Sequence, residues 1–116
     1  MGAIEGCEVL TFTDLNGLIE RMYQSSGERG ISNGQAGIHA GEWETSMMLA
    51  LKPNLVKMNA TTTGFIGEFA VIEDRIFEGI HHIDKNGVLG DPKLAAQGRG
   101  QTYVDDVVNY IADNLY

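Results

Sequence analysis

FIGEFAVIEDRIFEGIHHI, residues Phe65–Ile83, is the stretch whose reading decides the fold class. It is rich in Ile, Phe and Val, side chains that suit a pleated, half-buried surface. Glu73-Asp74 sits near its middle as a turn, so the stretch predicts two antiparallel strands. Towards the C-terminus, Asn86-Gly87 marks a further turn. Asp91-Pro92 then forms the strongest helix start in the chain, an Asp cap with Pro at the first helical position. Val104, Val107, Val108, Ile111 and Leu115 give the helix that follows one apolar face.

In the other direction, Thr45–Leu51 is nearly all apolar and is stopped by Pro53, which predicts a short helix buried on all sides. Before it, Gly27–Gly41 is rich in Gly, Ser, Asn and Gln. A patternless loop of about 15 residues is long for a compact domain and is usually functional or mobile. Leu15, Leu18, Ile19 and Met22 recur at i, i+3, i+4 and i+7, an amphipathic helix capped by Thr13 or Asp14 and ending in Ser25-Ser26-Gly27. Glu8–Phe12 is a short β-prone run and reads as a strand. Strand, helix, loop, helix, strands and helix together predict an α/β fold, a layered α/β/α sheet domain.

Composition narrows the function. A chain of 116 residues is one domain, residues 1–116. Hydrophobic residues at 43% can fill a small core. Sixteen acidic against eight basic residues leave a net charge of −8, which repels phosphate backbones and excludes nucleic acid as a partner. The longest aliphatic run, Met47–Leu51, falls far short of the roughly 20 residues of a membrane span. No charged segment followed by an apolar stretch marks a signal peptide at the N-terminus. A single cysteine, Cys7, excludes an internal disulfide, reads as a small buried residue and fits a reducing cytoplasm.

The chemistry-bearing segment is His39-Ala40-Gly41-Glu42-Trp43-Glu44-Thr45-Ser46. It brings one imidazole and two carboxylates to the end of a glycine-bearing loop and the start of a helix. Such a start offers unpaired N–H groups and a partial positive charge. Glu44 is favoured there by the dipole, or instead caps the first turn. On spacing alone His39 reads as a hydrogen-bonded turn residue with both glutamates solvated, since His-x-x-Glu is not a metal motif by itself. Trp43 lines a pocket mouth or packs inside, and Met47-Met48 reads as core. His81 and His82, as strand neighbours, point to opposite faces and do not grip one ion. Gly98-x-Gly100 lies within a helix pattern and is no dinucleotide fingerprint.

The segment resembles the His-Ala-Gly-x-x-Glu-Thr-Ser signature of the creatininase (creatinine amidohydrolase) family. Leu49–Val56, Leu-Ala-Leu-Lys-Pro-Asn-Leu-Val, continues that resemblance. A second block is similar at Gly87-Val88-Leu89-Gly90-Asp91-Pro92, followed by Ala95 and by Gly98 or Gly100. The resemblance covers nearly the whole chain but only the C-terminal half of the family's pattern. It implies the fold of that half and a metal-dependent amidohydrolase cleaving a non-peptide or cyclic amide C–N bond.

By the same resemblance, His39 is the proton donor to the leaving nitrogen, while Glu42, Trp43, Glu44 and Thr45 line or support the substrate pocket. An amide nitrogen leaves poorly until protonated, and imidazole titrates near neutral pH. The family's divalent metals (Zn, Mn or Fe) are held by Glu-x-His, Asp and Asn-Gly-His motifs that do not occur here, and Asn33-Gly34-Gln35 lacks the imidazole. The expectation is therefore a chain that binds no metal alone. Its partners are a chain carrying the N-terminal half, or further copies of itself, with a small-molecule amide as substrate. The alternative is a non-catalytic, oligomerising binding or assembly module.

Overall fold

The computed structural model describes residues 5–116. Its helices are α1 (Leu15–Gly27), α2 (Asn33–Ala36), α3 (Glu42–Leu51), α4 (Phe69–Ile76) and α5 (Gln97–Asp113). Short 3-10 turns stand at Pro53–Leu55, Met58–Ala60, Ile80–His82 and Pro92–Leu94. Among the described residues there is no sheet, and an isolated antiparallel bridge joins His39 to Leu89. The expected α/β/α layering is overturned: the fold is all-α.

The decisive stretch forms α4 and a 3-10 turn rather than two strands. Phe69, Ile72 and Ile76 recur at i, i+3 and i+7, a helical stripe inside a β-prone composition. Ile72 is buried, whereas Glu73, Asp74, Val71 and Phe77 lie exposed on the opposite side. Glu73-Asp74 therefore sits mid-helix on the wet face and turns nothing. The β preference of Ile, Val and Phe reports packing on a surface more than a backbone demand, and one buried stripe satisfies it equally well.

The other corrections are local. Residues 8–12 are irregular, and Cys7 is exposed. Thr11 instead meets Tyr116: its N–H donates to the Tyr116 carbonyl at 2.6 Å, and its carbonyl accepts the Tyr116 N–H at 3.0 Å. The glycine-rich loop contains α2, closed by a reciprocal capping box: Ser32 Oγ accepts the Gln35 N–H at 3.2 Å and Gln35 Oε1 accepts the Ser32 N–H at 2.9 Å. Asp91 caps only the Pro92–Leu94 turn, and α5 starts at Gln97 after Ala96, with no side-chain cap.

Other signals hold. Asp14 caps α1 through the Gly17 N–H at 3.1 Å, and the helix ends at Gly27. Asn86-Gly87 is a turn, with Asp84 Oδ2 accepting the Asn86 and Val88 N–H groups at 3.0 Å each.

Met22, Ile31, Ala36, Trp43 and Tyr103 form the core, with Leu18, Ile19, Tyr23, Ile38, Met47 and Val107 packed against it. Helix α5 lies chiefly on α3 and also on α1. Gly100 and Tyr103 are its buried residues and half-buried Val107 packs against the core, while Val108 and Leu115 of the expected apolar face are exposed. A Cβ on Gly100 would lie 1.7 Å from the Ser46 carbonyl oxygen, so only glycine permits this approach of α5 to α3.

Helix α3 is not buried all round. Its hidden side chains are Glu42, Trp43 and Ser46, whereas Met48 and Leu51 are exposed. The Met47-Met48 pair is thus half core and half surface.

Candidate functional site

His39 sits between two fixed points of backbone. On one side, the Leu89 carbonyl accepts the Ile38 N–H at 2.9 Å and the His39 N–H at 3.4 Å, and the Leu89 N–H returns to the His39 carbonyl at 2.8 Å. Gly37 makes this possible: its φ is +79°, and a Cβ there would lie 1.9 Å from the Leu89 oxygen. On the other side stands Ala40, whose φ of 53° is left-handed. That conformation costs an alanine about 1–2 kcal/mol. Glu44 offsets it, reaching back from the first turn of α3 so that its Oε2 accepts the Ala40 N–H at 2.5 Å.

The His39 side chain is exposed at the rim of a groove of about 530 Å³. Leu18, Ile19, Met22, Trp43, Met47 and Phe69 are among its apolar walls, and Glu44 shares the rim with His39. Trp43 both packs and lines: it is buried, stacks on Tyr23 with ring centroids 5.0 Å apart, and contributes to the groove wall. Thr45 is half-buried and lies on the other flank of α3, in a second groove of about 620 Å³ with Met48, Leu51 and Leu55. The site residues thus divide between two grooves along α3, with Glu44 on the ridge they share.

Glu42 belongs elsewhere. Its side chain has no exposed surface and its carboxylate is fully engaged. Arg99 Nε donates to Oε1 at 2.8 Å, Tyr103 Oη to Oε2 at 2.9 Å, and Ser46 Oγ to Oε1 at 3.0 Å. Ser46 Oγ in turn accepts the Ala96 N–H at 3.0 Å, and Arg99 also holds the Leu94 carbonyl. Burial pushes the Tyr103 hydroxyl above the usual tyrosine value, and the Glu42 charge adds to it. Glu42 is the polar join of α3 to α5 and does not line the groove.

Sequence reasoning missed Ser46, Arg99 and Tyr103 as its partners. The signal was present in helical spacing, since Glu42/Ser46 and Arg99/Tyr103 are both i, i+4 pairs. A second polar join ties α1 to α5: Asp106 accepts Arg21 Nη2 at 2.9 Å and Ser25 Oγ at 2.5 Å.

A metal centre does not fit the side chains at hand. Among the described residues, no three His, Cys, Asp or Glu side chains converge as a ligand set. Glu42 is consumed by Arg99 and Tyr103, and Glu44 holds a backbone N–H. His81 and His82 stand on a 3-10 turn rather than a strand, rings 4.0 Å apart, with no third donor to complete a site. No described helix is long and apolar enough to cross a membrane.

Comparison with known proteins matches residues 10–115 to the family described as creatininase, creatinine amidohydrolase. The mycofactocin precursor peptide peptidase of Mycolicibacterium smegmatis (strain ATCC 700084 / mc(2)155) is 31% identical over 81 residues, covering 69% of this chain and 33% of the relative. The chain thus spans about a third of the length of that curated relative. No solved structure matches it. The family match runs through both sequence blocks, including the His39 segment and helix α3 with Glu42, and on it the chain belongs to the creatininase family, related to its amidohydrolases.

Proposed function

We propose that this chain forms the His39-bearing wall of a creatininase-type amidohydrolase, and that the metal-ligating residues come from a partner chain or a further segment. The observation that carries this reading is the clamp on His39: its backbone is fixed by Leu89 and the Glu44-held Ala40 turn, while its imidazole stands at the rim of an apolar groove. A side chain so placed suits a general acid. Once water has added to the amide carbonyl carbon, the C–N bond of that adduct breaks to leave a carboxylic acid, and the imidazolium gives its proton to the departing nitrogen and is left as neutral imidazole. The apolar walls suit an amide with an apolar substituent. The description of the M. smegmatis relative as a precursor peptide peptidase supports an amide of peptide type. An exposed, unpaired Cys7 suits a cytoplasmic setting.

The test combines the purified chain with a chain carrying Glu-x-His, Asp and Asn-Gly-His motifs, and follows metal content and amide turnover. The expected result is turnover only in the combination, abolished by His39→Ala with metal content unchanged. Turnover by this chain alone, or full activity of the His39→Ala combination, overturns the reading.

A second reading, a non-catalytic assembly module, draws on the surface. Phe77 is 94% exposed, Val71 72% and Leu55 71%, apolar side chains that a partner surface could cover. The radius of gyration, 15.9 Å, also exceeds the roughly 13 Å of a compact chain this long. Light scattering decides: a mass above the 12.6 kDa monomer without any complementing activity favours assembly alone.

A further inference from the structure

Ala40 is the one non-glycine residue with positive φ among those described, and it directly follows His39. Its N–H is held by Glu44 Oε2 at 2.5 Å, although Glu44 is exposed and free to be solvated. A glutamate at this position in a helix ordinarily returns to the N–H of the capping residue, here Gly41. Glu44 instead reaches one residue further back, to the turn that sets the direction in which His39 leaves the backbone. Helix α3 gains no side-chain cap at Gly41, so the geometry favours the His39 turn over the helix end. The opposite side of His39 is already fixed by Leu89, leaving Ala40 as the remaining degree of freedom.

We infer that Glu44 is a positioning residue for His39: by accepting the Ala40 N–H it locks the left-handed turn that keeps the imidazole at the groove rim. This rests on the reading of His39 as the proton donor. What Glu44 supplies is an oxygen acceptor at the right reach, which a glutamine also has. Aspartate is one methylene shorter and does not span the turn, and alanine supplies nothing.

Nuclear magnetic resonance of the full chain tests this without any turnover. Three-bond couplings report the His39 side-chain rotamers, and amide hydrogen exchange reports the Ala40 and Leu89 N–H groups. In Glu44→Ala, exchange at Ala40 is expected to rise at least tenfold and His39 to average among rotamers. In Glu44→Gln, exchange is expected to stay within threefold of the parent, with His39 in one rotamer. Circular dichroism and exchange along α3 control for folding, and if Glu44→Ala does not fold, Glu44→Asp takes its place with the same expectation. An ordered His39 with parent-like exchange in Glu44→Ala or Glu44→Asp overturns the inference. So does a Glu44→Gln chain as disordered at His39 as Glu44→Ala. Loss of the proton-donor reading would show separately, as turnover surviving His39→Ala while these couplings stand.

Discussion

Arg99 places its Nε 2.8 Å from Oε1 of Glu42, a carboxylate with no exposed surface, and so joins the start of α5 to the start of α3 by a charge pair. The Arg99 side chain keeps 28% of its surface in water, whereas Glu42 keeps none. Removing the cation therefore strands a buried anion, while removing the anion leaves a cation that can solvate. Arg99→Ala is expected to destabilise the chain by about 3–5 kcal/mol, the range for breaking one side of a buried pair. Urea unfolding of Arg99→Ala, Glu42→Gln and the double variant checks it. The double variant should be less unstable than the sum of the two singles.

Two glycines two residues apart in α5 should respond with opposite signs. Gly100→Ala forces a methyl group to within 1.7 Å of the Ser46 oxygen and should cost about 1–3 kcal/mol by overpacking. Gly98 has open space around its Cβ position, so Gly98→Ala should add about 0.4–1 kcal/mol by restricting the unfolded chain. Thermal midpoints of the two variants should bracket that of the parent.

Stability should fall at both ends of the pH scale, through Asp14 and Tyr110. Tyr110 Oη donates to Asp14 Oδ2 at 2.5 Å. That bond, with the Gly17 N–H, holds the Asp14 carboxyl below its reference value of 3.8, so its contribution is present above that value and is lost as pH falls through the folded pKa. The same bond raises Tyr110, and burial raises Tyr103 and Tyr23, above 10.0. Their contribution is complete below pH 10.0 and is lost as pH rises through the folded values. Thermal midpoints across pH, for the parent and Tyr110→Phe, should show Tyr110→Phe losing less at the acid end.

Asp91→Ala should cost about 1 kcal/mol, typical of a lost cap, and leave helix content unchanged. Asp91 Oδ1 accepts Thr63 Oγ1 at 3.0 Å and the Lys93 N–H at 3.3 Å, which fixes the Pro92–Leu94 turn. Helix α5 begins beyond it, at Gln97. Far-ultraviolet circular dichroism that loses helix in this variant would show that the cap reaches α5 after all.

The sequence by itself determined what depends on neighbours in the chain. Helix α1 was legible from Leu15, Leu18, Ile19 and Met22 with the Asp14 cap, because a 3.6-residue stripe and a capping carboxylate are local facts. The Asn86-Gly87 turn was legible for the same reason. The family was legible because two blocks of specific residues stand in the right order. The contact Glu44 makes was not legible: in place of a cap on the first turn of α3 it holds the Ala40 N–H, one residue before the capping position.

Tertiary structure alone decided the rest. Phe65–Ile83 has strand composition and helix periodicity at once, and which prevails depends on what its apolar stripe packs against. Here Ile72 is buried and the stripe it belongs to lines the groove, so the helix prevails. Nothing in the residues next to Glu42 distinguishes a solvated carboxylate from a buried one. The difference is made by Arg99 and Tyr103, more than fifty residues away, and by Gly100, which lets α5 come close enough for them to reach it. Charge burial is a property of the assembled interior, because only a full set of donors makes a carboxylate without water tolerable.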